Sequence, residues 1–539
     1  MTSGSQHSFS SDRSPCFSIE SAGALEHTFT ETFPALAQPA VPQIPAETGT
    51  DWVNAPLARS LDLDSAWLRS DDGVRWLTGT EHAGQELQAL GYSGFQFGQL
   101  SPVLGDGRAH LLGEWVTRES AQGALSRIDL HLKGSGLTPF SRQGSDGKAP
   151  LSAVWREAVI GEFLHATGVP TSRALAVLST GERIRRRAPQ PEPAGILVRT
   201  ASSHLRVGTF QFAQMQRSAE ERMALVEYAL RRHYPEVKTG ESTPNNPALA
   251  LLRGVAQRQA KLVAQWMGLG FIHGVLNTDN VSISGEAIDF GPCAFMDIFK
   301  RDAVFSSIDQ QGRYAYRNQP VITQWNLARF GETLLDLIDP EEPNRAVEQA
   351  TEVLAEFGDI YRFEHTRVFA EKLGIERDGS AREQGDNEQG DSGQVAEFVE
   401  QTLTLLEETQ TDFTGFFRAL TENPADATPG NQTEPPVPLA NIVGDAPKTA
   451  DWYQHLTDLR RTTGTTAERA QKLMENVNPV YIPRNIQLDA ALREVERGNT
   501  EPIEELIDAV RAPFERRPGM EYLEGAPTNS RFFRSFCGT

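Results

Sequence analysis

Residues 271–292, FIHGVLNTDNVSISGEAIDFGP, set two acidic turns ten residues apart, and this pattern restricts the fold more than any other stretch of the chain. Asp279 and Asn280 precede one apolar piece, Val281 to Ile283, and Asp289 stands inside the end of another, Ala287 to Phe290. With Ser284-Gly285-Glu286 as the bend, the text predicts a short hairpin that brings Asn280 and Asp289 to one point. Two hard oxygen donors there suit a small divalent cation completed by phosphate oxygens. Asp279, beside them, can accept a proton from an incoming hydroxyl. In an acidic chain three such side chains also fall together by chance in looser arrangements, so the upstream residues have to decide.

Upstream, HLLGEWV and RIDLHLKG alternate apolar and polar residues and predict two strands, the second ending in Lys133. A lysine at a strand end beside Gly134-Ser135-Gly136 can neutralise a polyphosphate, or can be a solvated edge lysine. After the turn-rich loop PFSRQGSDGKAP, the segment SAVWREAVIGEFLHATG spaces Trp155, Val159 and Phe163 by four and ends at Gly168, which predicts an amphipathic helix. Glu157 on that helix would meet Lys133 across a cleft, or stay a surface acid beside Arg156. Strand text follows at 175–180 and again at 195–201, where Arg199 sits among apolar residues. A buried guanidinium needs an anion, and for Arg199 and Arg206 that anion is either a phosphate or a neighbouring carboxylate. Gly105-Asp106-Gly107-Arg108 lets backbone amides approach a phosphate, or is an ordinary turn.

Strand lysine, helix glutamate, Asp-Asn turn and Asp-Phe-Gly follow in the order in which a protein kinase arranges its nucleotide site. One part is missing. Where a kinase carries His-Arg-Asp, this chain has His273-Gly274-Val275, so the usual base is absent while Asn280 keeps the asparagine position. Either Asp279 works in a different geometry or the chain binds nucleotide without catalysis.

Long blocks of the chain resemble the selenoprotein O (YdiU, UPF0061) family: YSGFQFGQL, LGDGRA, LHLKGSGLTPFSR, SDGKAPLSAVWREAVIGEFLHATGVPTSRAL, VRTASSHLRVGTF, the 271–292 block and DQQGRYAYRNQPVITQWNLARF. The resemblance is strongest from about 85 to 330. It implies a kinase-like fold that binds ATP in an orientation reversed from kinases and transfers AMP to Ser, Thr or Tyr hydroxyls of proteins. It implies Asp279 as base, Asn280 and Asp289 as ligands of Mg²⁺ or Mn²⁺, Lys133 on phosphate and Glu157 holding Lys133. Arg199 and Arg206 would cradle the reversed phosphates, aided by Gly105, Gly107, Arg108, Asp146 and Gly147. Two positions depart from the family pattern. Phe95 replaces the histidine of its YxGHQFG block, and Phe305 stands where many members have a cysteine. A cysteine near the C-terminus is linked to redox control in the family, so Cys537 is a candidate thiol, with Cys293 as a substitute partner.

The 539 residues exceed what one core usually serves. The expected class is α+β, a protein-kinase-like two-lobed fold. Residues 1–84 would form an N-terminal arm and wrap, 85–205 a β-rich nucleotide lobe, 206–375 a helical catalytic lobe and 376–539 a mainly helical extension. A formal net charge of −21 argues against a nucleic-acid surface. No apolar run reaches membrane-helix length, and the Ser-rich start lacks the pattern of a secretory signal, so cytoplasm is the expected compartment. The leading reading is a protein adenylyltransferase. An inactive ATP-binding scaffold and an atypical kinase are the alternatives, and oligomeric state is not legible.

Overall fold

The computed structural model describes residues 23–81, 84, 86–118, 125–186, 190–237, 246–377, 391–423, 434–527 and 533–535. Seven strands make the body of one sheet: β1 (Ala37–Ala40), β2 (Gly49–Val53), β3 (Leu87–Leu90), β4 (Ala109–Arg118), β5 (Leu125–Lys133), β6 (Arg173–Ile184) and β7 (Glu192–Ala201). Their spatial order is β1-β3-β4-β5-β7-β6-β2, and every pairing is antiparallel. The two-residue strands Leu25–Glu26 and Ala149–Pro150 add to β4 and β7. Thus both ends of the order, β1 and β2, come from the segment before residue 85.

Alternation in β5 assigns its two faces. Leu130 and Leu132 are buried against Leu57, Leu77, Trp115 and Val198 in a core between the sheet and the helices of residues 55–78. Asp129, His131 and Lys133 point to the opposite face. Register then places Arg199 of β7 opposite His131, and Leu197 opposite Lys133. The polar face that holds the candidate site is therefore the reverse of a strand whose apolar face is fully packed.

The helix predicted around Glu157 is α1 (Leu151–Ala166), but it is not amphipathic: Trp155, Ala158, Val159, Ile160, Phe163 and Leu164 are all fully buried. One side lies on β6 and β7, and the other is covered by two helices from the far end of the chain, Asn485–Glu496 and Glu501–Arg511. Glu162 on its outer side accepts from Arg173 and Arg511. Spacing within the helix could not announce that second layer.

After the sheet come α2 (Val207–Gln216), Ala219–His233, the 23-residue α3 (Pro247–Leu269), α4 (Gln319–Glu332) and the 30-residue α5 (Pro343–Lys372). Asn246 caps α3 through the amides of Ala248 and Leu249, and Gly270 in the left-handed region ends it. Further helices continue to Arg511. No helix among the described residues is long and apolar enough to cross a membrane.

The predicted 281–290 hairpin does not form. Ser282 bridges to Arg206 and Ala287 to Thr171, so each apolar piece pairs outward rather than with the other. Ser282, Ser284 and Glu286 instead bond one another across the bend.

Candidate active site

Lys133, at the end of β5, reaches Glu157 of α1 at 2.5 Å and Asp289 at 2.6 Å. Arg199 donates to the same Asp289 oxygen at 2.7 Å, and Arg206 to the other at 2.8 Å. Three cations from β5, β7 and the start of α2 therefore converge on one carboxylate, with Glu157 behind the lysine. Burial opposes ionisation of Asp289, but Lys133, Arg199 and Arg206 outweigh it and hold the carboxyl well below the usual range. Asp289 also sits at φ +63, a left-handed conformation that costs a side-chain-bearing residue of order 1 kcal/mol or more. His273 helps fix it. The ring nitrogen Nε2 donates to the carbonyl of Ile288 at 2.9 Å, and the His273 amide donates to Gln319.

Asp279 lies on a one-turn helix, Thr278–Asn280, and meets a different environment. Arg206 donates to its backbone carbonyl at 2.8 Å rather than to its carboxylate, and Oδ1 has no hydrogen-bond partner. Burial, only partly offset by the charge of Arg206, pushes its carboxyl up to about 6. At neutral pH such a group is ionised yet more basic than an ordinary aspartate, which is what a proton acceptor needs. Val275 contributes only its backbone: its carbonyl accepts from Asn280 Nδ2 at 2.8 Å, which turns the Asn280 amide oxygen away from that carbonyl.

Among the described residues no group of three or more His, Cys, Asp or Glu side chains forms a metal site of its own. The oxygens at hand, one from Asn280 and those of Asp289, have the hardness that Mg²⁺ or Mn²⁺ prefers, and the Nε–H groups of Arg199 and Arg206 are buried without partners. The donor set fits a cation that shares its sphere with phosphate better than a cage built from protein alone.

The remaining predicted residues separate into two groups. Gly105, Gly107 and Arg108 lead into β4, whose Ala109 lies opposite Lys133. Gly105 has φ +73, and a Cβ there would come within 2.3 Å of the Phe140 ring, so packing alone already demands glycine. Asp146 accepts from both terminal nitrogens of Arg186 at 2.8 and 2.7 Å, and Gly147 is pressed against the backbone of Gly136. No described contact joins Asp146 to the Lys133–Asp289 cluster. Cys293 is buried beside this site, and burial pushes its thiol up to about 12, far from a reactive thiolate. Cys537 lies outside the described residues, although Ser535 pairs with Ser306 and donates to the Pro292 carbonyl at 2.5 Å.

Two features escaped the sequence reading. His131 donates from Nε2 to Asp106 at 2.9 Å and offers Nδ1 to Arg199 at 3.2 Å, so the Gly105–Arg108 turn is wired to Arg199 through one ring. Its place two residues before Lys133 was the available signal. The second is a hairpin, Gly94–Gln96 with Gln99–Ser101, that lies directly over Asp279. A Cβ at Gly94 would stand 2.3 Å from Asp279 Oδ1, and the Phe95 amide donates to Thr278 at 2.8 Å.

Comparison with known proteins identifies the family. The family described as "Protein adenylyltransferase SelO" matches residues 26–511. A protein of Pseudarthrobacter chlorophenolicus named "Protein nucleotidyltransferase YdiU" is 42% identical over 522 residues, covering 96% of this chain and 99% of its own. A protein of the same name from Rhodococcus jostii is 44% identical over 524 residues, with 96% and 94% covered, and one from Rhizobium etli is 42% identical over 506, with 92% and 94%. With matches of this strength over nearly the whole chain, it belongs to the SelO/YdiU family of protein adenylyltransferases.

Proposed function

We propose that this enzyme transfers AMP from ATP to Ser, Thr or Tyr hydroxyls of proteins, with Asp279 as the base and the Lys133–Arg199–Arg206 cluster on the leaving pyrophosphate. The observation that carries the assignment of roles is the division of charge between the two turns. Asp279 is a raised carboxyl with a free oxygen, and ten residues on, three cations meet at Asp289.

In the proposed step the acceptor oxygen forms a bond to the α-phosphorus and gives its proton to Asp279. The bond from that phosphorus to the bridging oxygen breaks, and pyrophosphate leaves with the electron pair. Cations placed on the β- and γ-phosphates stabilise the charge that accumulates there. Asp289 and Asn280 would hold Mg²⁺ or Mn²⁺, whose Lewis acidity would offset charge around the reacting phosphate. Glu157 keeps Lys133 positioned, and the Asp106–His131 pair does the same for Arg199. The sheet and the helices after it are taken as the two lobes of a kinase-like arrangement, with residues 376–539 as an extension.

ATP labelled at the α position or the γ position, supplied with Mg²⁺ or Mn²⁺, tests the reading. Protein-bound label is expected from α only. Label from γ alone would replace adenylyl transfer by kinase chemistry, and no transfer with either metal despite ATP binding would leave a scaffold.

A further inference from the structure

The hairpin over Asp279 also presents an apolar exposed edge. Phe97 at its tip has φ +51 and is 38% exposed, Leu100 is 46% exposed, and Val103 just beyond is 58% exposed. The hairpin is not loose: the Phe97 amide donates to Asn277 and to the Tyr314 hydroxyl, both at 3.2 Å. Beside it, Val321, Trp325 and Arg329 share one face of α4 at four-residue spacing. Two guanidiniums approach the Trp325 indole, Arg313 at 4.8 Å and Arg329 at 5.2 Å, and the Phe95 ring meets it edge-on at 5.4 Å. Phe95, the departure from the family's histidine, thus completes an aromatic wall rather than supplying a polar group.

The two arginines differ. Arg329 is paired with Glu332 at 2.5 Å. Arg313 has no ion pair with a carboxylate among the described residues, although the Nε of both arginines is buried without a hydrogen-bond partner. In a chain with net charge −21, a guanidinium stacked on an indole and left without a carboxylate is a selective place for an anion. It stands within 3.7 Å of where a Cβ on Gly98 would be, at the hairpin's far end, whereas Gly94 at the near end touches Asp279. Three residues, Phe95 to Phe97, lie between those ends, and since the chain turns at Phe97 the separation falls short of the roughly 13 Å that four extended steps would span.

Resting on the adenylyl-transfer reading, we propose that the hairpin and α4 dock the acceptor polypeptide, and that Arg313 selects segments with an Asp or Glu about three to five residues from the hydroxyl. The apolar edge of Phe97 and Leu100 takes the residues between. The hydroxyl reaches Asp279 at one end of the hairpin while the acidic side chain meets Arg313 at the other.

The full chain with a non-hydrolysable ATP analogue and Mg²⁺ would be titrated into two fluorescent peptides. Each carries one serine in a Gly/Ala background with Leu at +2, and either Glu or Lys at both −4 and +4. The Glu peptide is expected to bind at least tenfold tighter. Arg313→Glu should reverse that preference, Arg313→Gln should abolish it, and ATP affinity by calorimetry should stay within twofold in both. Equal binding of the two peptides by the unaltered protein would overturn the proposal. So would a tenfold loss of ATP affinity in both variants, which would give Arg313 to the nucleotide, or a homodimer that Arg313→Glu dissociates, which would give the surface to a second copy. Because binding is read without turnover, failure here is separable from failure of the chemistry. Selective binding with no transfer of α-label would sink the adenylyl reading alone, and transfer without peptide preference would sink the docking alone.

Discussion

The turns at Asp279 and Asp289 hold the same side chain, buried in the first and half-buried in the second, and drive it in opposite directions. At Asp289 two arginines and a lysine donate directly to the carboxylate, so the charged form prevails over desolvation. At Asp279 the nearest arginine spends its bond on the main-chain oxygen, and desolvation prevails. Burial alone therefore predicts neither group. What decides is whether cations reach the carboxylate: Lys133, Arg199 and Arg206 all do so at Asp289, whereas at Asp279 Arg206 stops at the backbone. The pair gives one turn a permanent anion that organises cations and the other a carboxyl able to cycle a proton.

Removing the permanent anion should have the largest effect. Asp289→Ala leaves three buried cations facing one another. AMP transfer is expected to fall at least about 10³-fold, and denaturant unfolding should show a loss of about 3–5 kcal/mol, as when one partner of a buried pair is deleted. A variant that keeps normal stability and metal-dependent ATP binding would show that the contrast between the turns is not electrostatic.

Asp279→Asn separates the second turn from the first. Transfer should drop about 10²–10⁴-fold while calorimetric ATP affinity changes little. Stability should move the other way. A carboxyl raised from 3.8 to about 6 burdens the folded state by roughly 3 kcal/mol once ionised. That burden is absent below pH 4, grows as pH rises through 4–6 and is complete above 6, so the Asn variant should gain on the unaltered protein over that window. In the unaltered enzyme transfer should rise with pH through about 6. A rate independent of pH from 5 to 8 would dismiss Asp279 as the base.

The smallest of these effects sharpens the comparison by weakening one cation without deleting it. His131→Phe removes the acceptor that steadies Arg199 and strands Asp106. We expect KM for ATP to rise about 5–150-fold with kcat within threefold, since a lost hydrogen bond to a charged group is worth about 1–3 kcal/mol. His131→Asn should recover part of that loss. Equal falls in kcat and kcat/KM would place His131 in the chemical step instead.

The Lys133–Glu157 pair and the need of Arg199 for an anion were legible because they rest on period and order, whereas the meeting of three cations at Asp289 was not. Alternation set Lys133 on the polar face of β5, strand–loop–helix order brought Glu157 to it, and an arginine inside apolar strand text demanded an anion. Those inferences use only neighbours in sequence. The all-round burial of α1 was not legible, since its second cover comes from residues beyond 484. Nor was the outward pairing of Ser282 and Ala287, because a three-residue apolar piece carries no statement about which edge it will meet. The contrast between the two aspartates was also hidden. It depends on which atom of Asp279 Arg206 selects, and spacing is silent about that.

The burial of α1 has a consequence for control. In protein kinases the helix that bears the lysine's glutamate partner is a moving part whose position switches activity. Here that helix is the middle layer of a stack, with Glu162 tied to Arg173 and Arg511 and fully packed side chains on both flanks. To swing it outward, the last two helices would have to lift off and two buried ion pairs would have to break. The Lys133–Glu157 contact is thus built as fixed masonry, set in place by a layer that comes from the far end of the chain.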